Sequence, residues 1–492
     1  MLKDVTILST VSGGTLVGAM YALSLKKEIT FGDFYVSFYN FLTTSNLVRS
    51  SLKILGDPAG NALGFLNLST SIASSYDDQL FKGETFGLFW DGKPIHLKDI
   101  IFNATEFKSG VGFRFQKSSR SGARIGNGKV HIAVRDAMSI RLADIAAASA
   151  CFPGGFEPLA FPNDLRWPND VIPPALVRDF KEPVGLMDGG VYDNQGIEAA
   201  YLASKQPASR VDLFIISDTF RPNEYLYLFP RIASHSRLTL DNINTLSQLL
   251  IFTSVLGFLS LALHGYKFFS SNGGFLGLMG FYIFPCLILL AVALIVRKIR
   301  SEIQQNVLSR IPKVTKQQAW EYVRRLTANQ VLDLIQLRVT SLVSLANNVF
   351  MNRIRGLVYK SIYKDSRYQK RLITNLIYDL ATKENMPSLI SKPSIKVKQI
   401  SRASTSIPTT LWFSDSAEAD DLIASGQFTM CYNLLDHILT QVDNRNGKRA
   451  AAVRELQARA NEDWKTFNEN PHFLHKSLIN KEEKPIENRR SN

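Results

Sequence analysis

The sequence has few cysteines and no paired metal ligands. Its three cysteines, Cys151, Cys286 and Cys431, lie far apart and form no C-x-x-C pair. The seven histidines are scattered, and the two that lie three residues apart, His472 and His475, belong to the charged C-terminal part. This pattern argues against a disulfide framework or a zinc site and fits a reducing compartment. We therefore expect no metal and no cofactor.

The sequence also shows no signal-peptide pattern and no excess of acidic residues. The first residues contain no basic segment followed by an apolar segment and a small-residue cleavage site. Lysine and arginine number 57 against 43 acidic residues, which gives a net charge of +14 over 492 residues. Such a charge implies affinity for anionic surfaces, either nucleic acid or phospholipid headgroups, and composition alone does not choose between them.

The first 220 residues are typical of an α/β fold. The β-branched, apolar runs VTILST, KVHIAV and VDLFIIS resemble strands buried on both faces. Runs such as TLVGAMYALSL and RLADIAAASA lie between them and resemble helices. We therefore predict a catalytic α/β domain over residues 1–230, with a mainly parallel sheet covered by helices.

Two long apolar runs predict a transmembrane helical hairpin over residues 246–297. Residues 275–296 carry no charge over 22 positions, enough to cross a bilayer, whereas the run 249–266 is shorter and includes Thr, Ser and His. Basic residues follow at 297–300, which places the C-terminal side in the cytoplasm. With two spans the catalytic domain lies there as well, and with one span it lies on the opposite side. A buried core helix is the alternative.

The part of the chain after the hairpin divides into three segments. Residues 298–390 look helical and basic, which beside a membrane favours contact with anionic headgroups over nucleic-acid binding; a solvated face is the alternative. Residues 391–440 are apolar enough to pack on the catalytic domain as a closing segment. Residues 465–492 are predicted to be disordered.

A serine near the start of the chain has the surroundings of a nucleophile. Ser12 follows a strand-like run and precedes Gly13, Gly14 and a helix-like run. The stretch TVSGG approximates G-x-S-x-G, in which small residues permit a sharp strand-to-helix turn, although Thr10 replaces the first glycine. Gly13 and Gly14 would offer backbone N–H groups to an oxyanion. By itself, a serine before two glycines is most often a loop.

An aspartate provides a possible partner. In GLMDGGVYDNQG, Asp188 ends a short apolar run and precedes Gly189 and Gly190. An aspartate at such a turn can accept a proton from a serine hydroxyl if the fold brings the two together. A simple Asp-Gly turn is the alternative.

Together these motifs resemble the patatin-like phospholipases, which use a Ser-Asp dyad without histidine. The stretches FNATEFKSGVGFRF (102–115) and IRLADIAAASACFPGGFEPL (140–159) add to the resemblance, and 406–435 looks like the closing segment of membrane-associated bacterial members. The resemblance implies a three-layer sandwich and a lipid acyl hydrolase with Ser12 as nucleophile and Asp188 as general base. It also implies membrane phospholipid as substrate and surface, with no nucleic-acid partner. We expect an integral protein of the bacterial inner membrane, with the catalytic domain and C-terminus in the cytoplasm.

The resemblance also leaves alternatives open. Relatives carry a G-G-G-x-R-G oxyanion loop before the nucleophile strand, and none precedes Ser12 here. Either the chain starts inside a longer product or it is a degenerate relative, and the intact surroundings of Ser12 and Asp188 favour the former. A catalytically inactive, membrane-anchored binding or scaffold protein is the alternative function. An ordinary triad of Ser12, Asp188 and His235 is a second enzymatic alternative. The sequence does not indicate the oligomeric state.

Overall fold

The structure is a computed structural model that describes most of the chain in separate stretches. The described residues are 2–56, 67–120, 122–205, 211–219, 240–268, 284–308, 327–383, 390–407, 413, 415–442 and 448–480.

The described strands form one large sheet and one small sheet. In chain order they are β1 (Ile7–Val11), β2 (Asp99–Glu106), β3 (Gly112–Lys117), β4 (Ile125–Gly126), β5 (His131–Ile132), β6 (Leu159–Phe161), β7 (Val184–Asp188), β8 (Phe214–Asp218) and β9 (Leu372–Leu376). In the large sheet, β5, β4 and β3 lie on one side of β2, and β1 and β7 share its other side, with β6 beyond β7. Strands β8 and β9 pair in parallel as a separate sheet.

The prediction of a mainly parallel sheet is wrong. In the large sheet only the β1–β2 pair is parallel among the described strands, and the β2–β3, β2–β7, β3–β4, β4–β5 and β6–β7 pairs are antiparallel. The buried, apolar sequence of β2 suggested a parallel strand, but burial on both faces does not fix strand direction. The short link from Glu106 to Gly112 decides it, because a parallel crossover needs a dozen residues or more.

Helices account for most of the remaining described residues. The α-helices are Gly13–Lys26, Phe31–Thr44, Leu47–Leu55, Leu68–Tyr76, Val134–Ala137, Leu142–Ala150, Pro174–Asp179, Gly190–Asp193, Ile197–Ser204, Leu240–Phe268, Phe284–Leu308, Ala328–Ser344, Met351–Tyr363, Ser366–Gln369, Ile395–Ser406, Ser416–Gln441, Lys448–Glu469 and Phe473–Ile479. Several begin at side chains that suit a helix start, such as Asn67, whose carboxamide accepts from Thr70 N–H while the Thr70 hydroxyl accepts from Asn67 N–H.

The chain divides into two compact units. One comprises residues 1–223 and 347–492, and the other comprises residues 224–346. The core of the first unit surrounds the helix Leu142–Ala150, all of whose residues are buried, and aromatic side chains of the large sheet such as Phe102 and Phe113 pack there. A second apolar cluster in this unit joins the helices Ile395–Ser406, Ser416–Gln441 and Lys448–Glu469 around Phe428 and Trp464.

The prediction of a transmembrane hairpin is also wrong. Of the helices within the described stretches, none combines the length and the apolar character needed to cross a bilayer. Thr253, Ser254 and His264 interrupt the first predicted span. In the second, the described apolar part is 284–296, and basic residues follow it directly. Residues 275–283 lie outside the described residues. This finding overturns the predicted integral membrane location.

Candidate active site

Ser12 lies at a sharp turn between β1 and the helix that begins at Gly13. Its backbone has φ 53° and ψ −132°, which places a residue with a side chain in the left-handed region. Such a conformation is strained and concentrates at functional sites, where a sharp strand-to-helix turn exposes a nucleophile. Gly13 and Gly14 are exposed, and a Cβ on either would meet no atom within 4 Å. Their N–H groups open the helix, where intrahelical acceptors are lacking.

Asp188 ends β7 and points its buried carboxylate at this turn. The Ser12 hydroxyl donates to Asp188 Oδ2 at 2.6 Å, and the Gly190 N–H donates to Asp188 Oδ1 at 2.6 Å. The side chain of Asp188 is only 3% exposed. Each carboxylate oxygen thus accepts one hydrogen bond, and the serine is the hydroxyl that Asp188 can deprotonate.

Ser12 and Asp188, which are 176 positions apart in sequence, meet because β1 and β7 both pair with β2. Val11 of β1 is opposite Asn103, and Asp188 of β7 is opposite Ala104, the next residue of β2. Because β1 runs parallel to β2 and β7 runs antiparallel to it, the carboxyl ends of β1 and β7 face each other along the same side of β2. Ser12 and Asp188 occupy this meeting point.

The surroundings of Asp188 raise its pKa toward neutral pH. Burial raises the pKa of Asp188 from 3.8 to about 6, while hydrogen bonds from Ser12 and the Gly190 N–H and the charge of Arg355 act in the opposite direction. A general base works best when its pKa lies near the operating pH. The carboxylate therefore has the ionisation behaviour that proton transfer from Ser12 requires.

A match to a known family accompanies this geometry. Residues 1–201 match the family model of patatin-like phospholipases. The match supports the function class of this family, whose members are lipid acyl hydrolases: esterases and phospholipases that act on lipids. No match to the chain was found among curated proteins or among solved structures.

The two glycines after Asp188 are required by close packing in the patatin-like domain. A Cβ on Gly189 would lie 2.3 Å from the Asn103 carbonyl oxygen. One on Gly190 would lie 2.7 Å from Asn194 Oδ1 and 2.9 Å from Asp188 Oδ1. Both predicted supporting positions thus lie against the dyad, where a side chain would displace the turn.

Ser149 contacts the backbone around both Ser12 and Asp188, and it is not among the residues predicted from the sequence. Its buried hydroxyl donates to the Asn103 carbonyl at 2.6 Å and accepts from the Ser12 N–H at 3.0 Å. Its own carbonyl accepts from the Gly189 N–H at 3.1 Å, and the Cys151 carbonyl accepts from the Asp188 N–H at 3.0 Å. One short segment therefore positions both Ser12 and Asp188. It belongs to a stretch noted for family resemblance, but a serine among alanines carries no signal of this role.

Thr10, which replaces the first glycine of the usual motif, is accommodated by Gly18. A Cβ on Gly18 would lie 2.5 Å from Thr10 Cγ2, far inside van der Waals contact. The missing side chain at Gly18 therefore creates the space that the β-branched threonine occupies. The Thr10 hydroxyl lies 3.2 Å from that of Thr15, which in turn contacts Ser149 Oγ at 2.8 Å.

Arg355 reaches the dyad from outside the matched residues. It belongs to the helix Met351–Tyr363, and its Nε donates to the Gly190 carbonyl at 2.7 Å. Its charge lowers the pKa of Asp188 against the effect of burial. Nothing in its sequence context indicates this role, because it lies in the basic segment predicted to contact lipid headgroups.

The remaining predictions concern histidine and metal. His235, the base of the alternative triad, lies outside the described residues. Over the stretches of chain that the structure describes, no group of three or more His, Cys, Asp or Glu side chains is arranged to hold a metal ion.

Proposed function

We propose that this chain is a lipid acyl hydrolase that uses Ser12 as nucleophile and Asp188 as general base. The observation that carries the proposal is the 2.6 Å hydrogen bond from the Ser12 hydroxyl, on a strained turn, to a buried carboxylate. The family match over residues 1–201 supports the substrate class. The bond to be broken is an ester bond of a phospholipid or lysophospholipid presented at a membrane surface.

The reaction proceeds in two proton-transfer cycles. Asp188 takes the hydroxyl proton as Ser12 Oγ bonds to the acyl carbon, and the carbonyl oxygen becomes an oxyanion near the N–H groups of Gly13 and Gly14. The ester bond then breaks, and the proton passes from Asp188 to the departing alcohol, which leaves the fatty acyl group on Ser12. Water attacks this acyl-enzyme, again losing its proton to Asp188, and the proton returns to Ser12 Oγ as the fatty acid departs.

Ser12→Ala tests the proposal directly. We expect it to lower the hydrolysis rate of phospholipid and of a short-chain soluble ester by roughly 10³-fold or more, as loss of a nucleophile does in serine hydrolases. Ser109→Ala is a matched control, because Ser109 is exposed on the turn between β2 and β3. Its rate should equal that of the unmodified protein.

A second readout identifies the reacting atom. A fluorophosphonate should phosphonylate Ser12 with loss of fluoride, and mass spectrometry should locate the added mass on the peptide that contains Ser12. Labelling should disappear in Ser12→Ala and persist in Ser109→Ala. Equal hydrolysis by the unmodified protein and Ser12→Ala would contradict the proposal and favour a non-catalytic binding protein.

A further inference from the structure

The helix Met351–Tyr363 has one face directed at the candidate active site. Arg355 donates to the Gly190 carbonyl at 2.7 Å, and the Tyr363 hydroxyl donates to Gln195 Oε1 at 2.9 Å. Ile362 is buried and packs with Ile197 and Ile216. At 3.6 residues per turn, Arg355, Ile362 and Tyr363 fall within one sector of the helix. This inner face therefore fastens the helix to the segment that follows Asp188.

The opposite face is apolar, cationic and exposed. Phe350, which immediately precedes the helix, is 56% exposed, and Leu357 is 59% exposed. Ile354 lies between them on the same face and is 36% exposed. Arg353 and Lys360 are also exposed and flank this apolar stripe. We call these five residues the outer face.

The charge around the outer face has one sign. Within the same unit, residues 347–364 carry four basic residues, Arg353, Arg355, Lys360 and Lys364, and no acidic residue. An exposed helix face that combines large apolar side chains with lysine and arginine is the pattern of helices that lie in a membrane interface. A protein partner of ordinary charge would not require this uniform sign, whereas a surface of anionic phospholipid does.

We propose that the outer face docks on an anionic phospholipid surface. Docking would bring lipid within one helix thickness, about 10 Å, of the turn that follows Asp188. That this proximity serves hydrolysis rests on the proposed function. Phe350, Ile354 and Leu357 enter the boundary between headgroups and acyl chains. Arg353 and Lys360 contact the headgroup phosphates. The same helix then touches the membrane with one face and the catalytic turn with the other.

Vesicle binding tests the docking without depending on hydrolysis. The full chain carrying Ser12→Ala is sedimented with vesicles of phosphatidylcholine alone or mixed with phosphatidylglycerol. Since each basic residue at an anionic surface contributes about fivefold, Arg353→Gln with Lys360→Gln should weaken binding to the mixed vesicles roughly 25-fold, and added salt should shrink that difference. Leu357→Ser should weaken binding to both kinds of vesicle.

A control and an activity measurement separate this inference from the proposed function. Arg135→Gln with Arg178→Gln removes the same charge from two exposed residues of the same unit and should leave vesicle binding unchanged. Without Ser12→Ala, the outer-face variants should hydrolyse a monomeric short-chain ester at the unmodified rate and mixed vesicles more slowly. Loss of activity in Ser12→Ala bears on the catalytic proposal alone.

Three results would overturn the docking proposal. The first is absence of binding to mixed vesicles by the full chain. The second is equal binding by the outer-face and control variants. The third is self-association of the protein in sedimentation velocity, provided that Leu357→Ser makes the protein monomeric and leaves vesicle binding unchanged. That result would assign the outer face to a second copy of the chain.

Discussion

Asp188→Asn tests whether the candidate base reduces the stability of the fold. Burial raises the pKa of Asp188 from 3.8 to about 6. A carboxyl group with a raised pKa in the folded state binds its proton more tightly there than in the unfolded chain. Its contribution to folding is therefore most favourable below pH 4 and is lost as pH rises through about 6. Asparagine stays neutral and avoids this loss.

The expected size follows from the two pKa values. The difference between 3.8 and about 6 corresponds to about 3 kcal/mol of unfolding free energy above pH 6. Asparagine replaces one of the two acceptor oxygens by an NH2 group, so one of the hydrogen bonds from the Ser12 hydroxyl and the Gly190 N–H is lost or reversed in direction, which costs about 1 kcal/mol. We expect Asp188→Asn to be more stable than the unmodified protein by about 2 kcal/mol at pH 8, with no gain near pH 4.

The ionisation of the neighbours does not obscure this dependence. Ser12, Tyr76, Cys151 and Arg355 face Asp188 from different elements of the fold. Burial raises the pKa of Cys151 to about 12 and also raises the pKa of Tyr76, so both stay neutral throughout.

Urea unfolding of both proteins between about pH 4.5 and 8 measures the difference. Asp78→Asn is a suitable control, because Asp78 is exposed and its substitution should change stability little at any pH. The reasoning fails if Asp188→Asn is less stable than the unmodified protein at pH 8, or if the difference between them is the same across the whole range.

Two further predictions concern the residues that support Ser12 and Asp188. Gly18→Ala places a Cβ 2.5 Å from Thr10 Cγ2 and should lower the unfolding free energy by about 1–3 kcal/mol. Thr10→Ser removes that methyl group, so the double variant should recover much of the loss, and a double-mutant cycle without coupling would count against this packing. Arg355→Gln should lower kcat/KM roughly 10- to 100-fold and move the acidic limb of its pH profile upward, since Asp188 loses a nearby positive charge. Arg355→Lys should move that limb less, and an unmoved limb in both variants would restrict Arg355 to a structural role.

Local sequence signals were enough to single out Ser12 and Asp188. Ser12 stands between a strand-like run and two glycines, and Asp188 stands before two more, and each pattern reflects a turn that few residues can form. The structure brings these two residues to hydrogen-bonding distance. Their catalytic roles stay a prediction until Ser12→Ala is measured.

Contacts between distant segments could not be predicted in the same way. The apolar run of β2 is compatible with parallel or antiparallel neighbours, and only the short link to β3 indicates the direction. Ser149 and Arg355 act on residues more than 130 positions away, and neither occurs in a motif. Apolar composition also predicted membrane spans, whereas no helix in the described stretches combines the length and the apolar character that a span needs.

The pairing of both β1 and β7 with β2 makes the contact between Ser12 and Asp188 a product of completed folding. A slip of β1 by one residue along β2 would turn Ser12 to the other face of the sheet, and a slip by two would move it about 7 Å from Asp188. Neither arrangement could form the 2.6 Å hydrogen bond. A misfolded or partly folded copy therefore lacks the Ser12–Asp188 pair, and under the proposed function it could not attack the membranes of the cell that makes it.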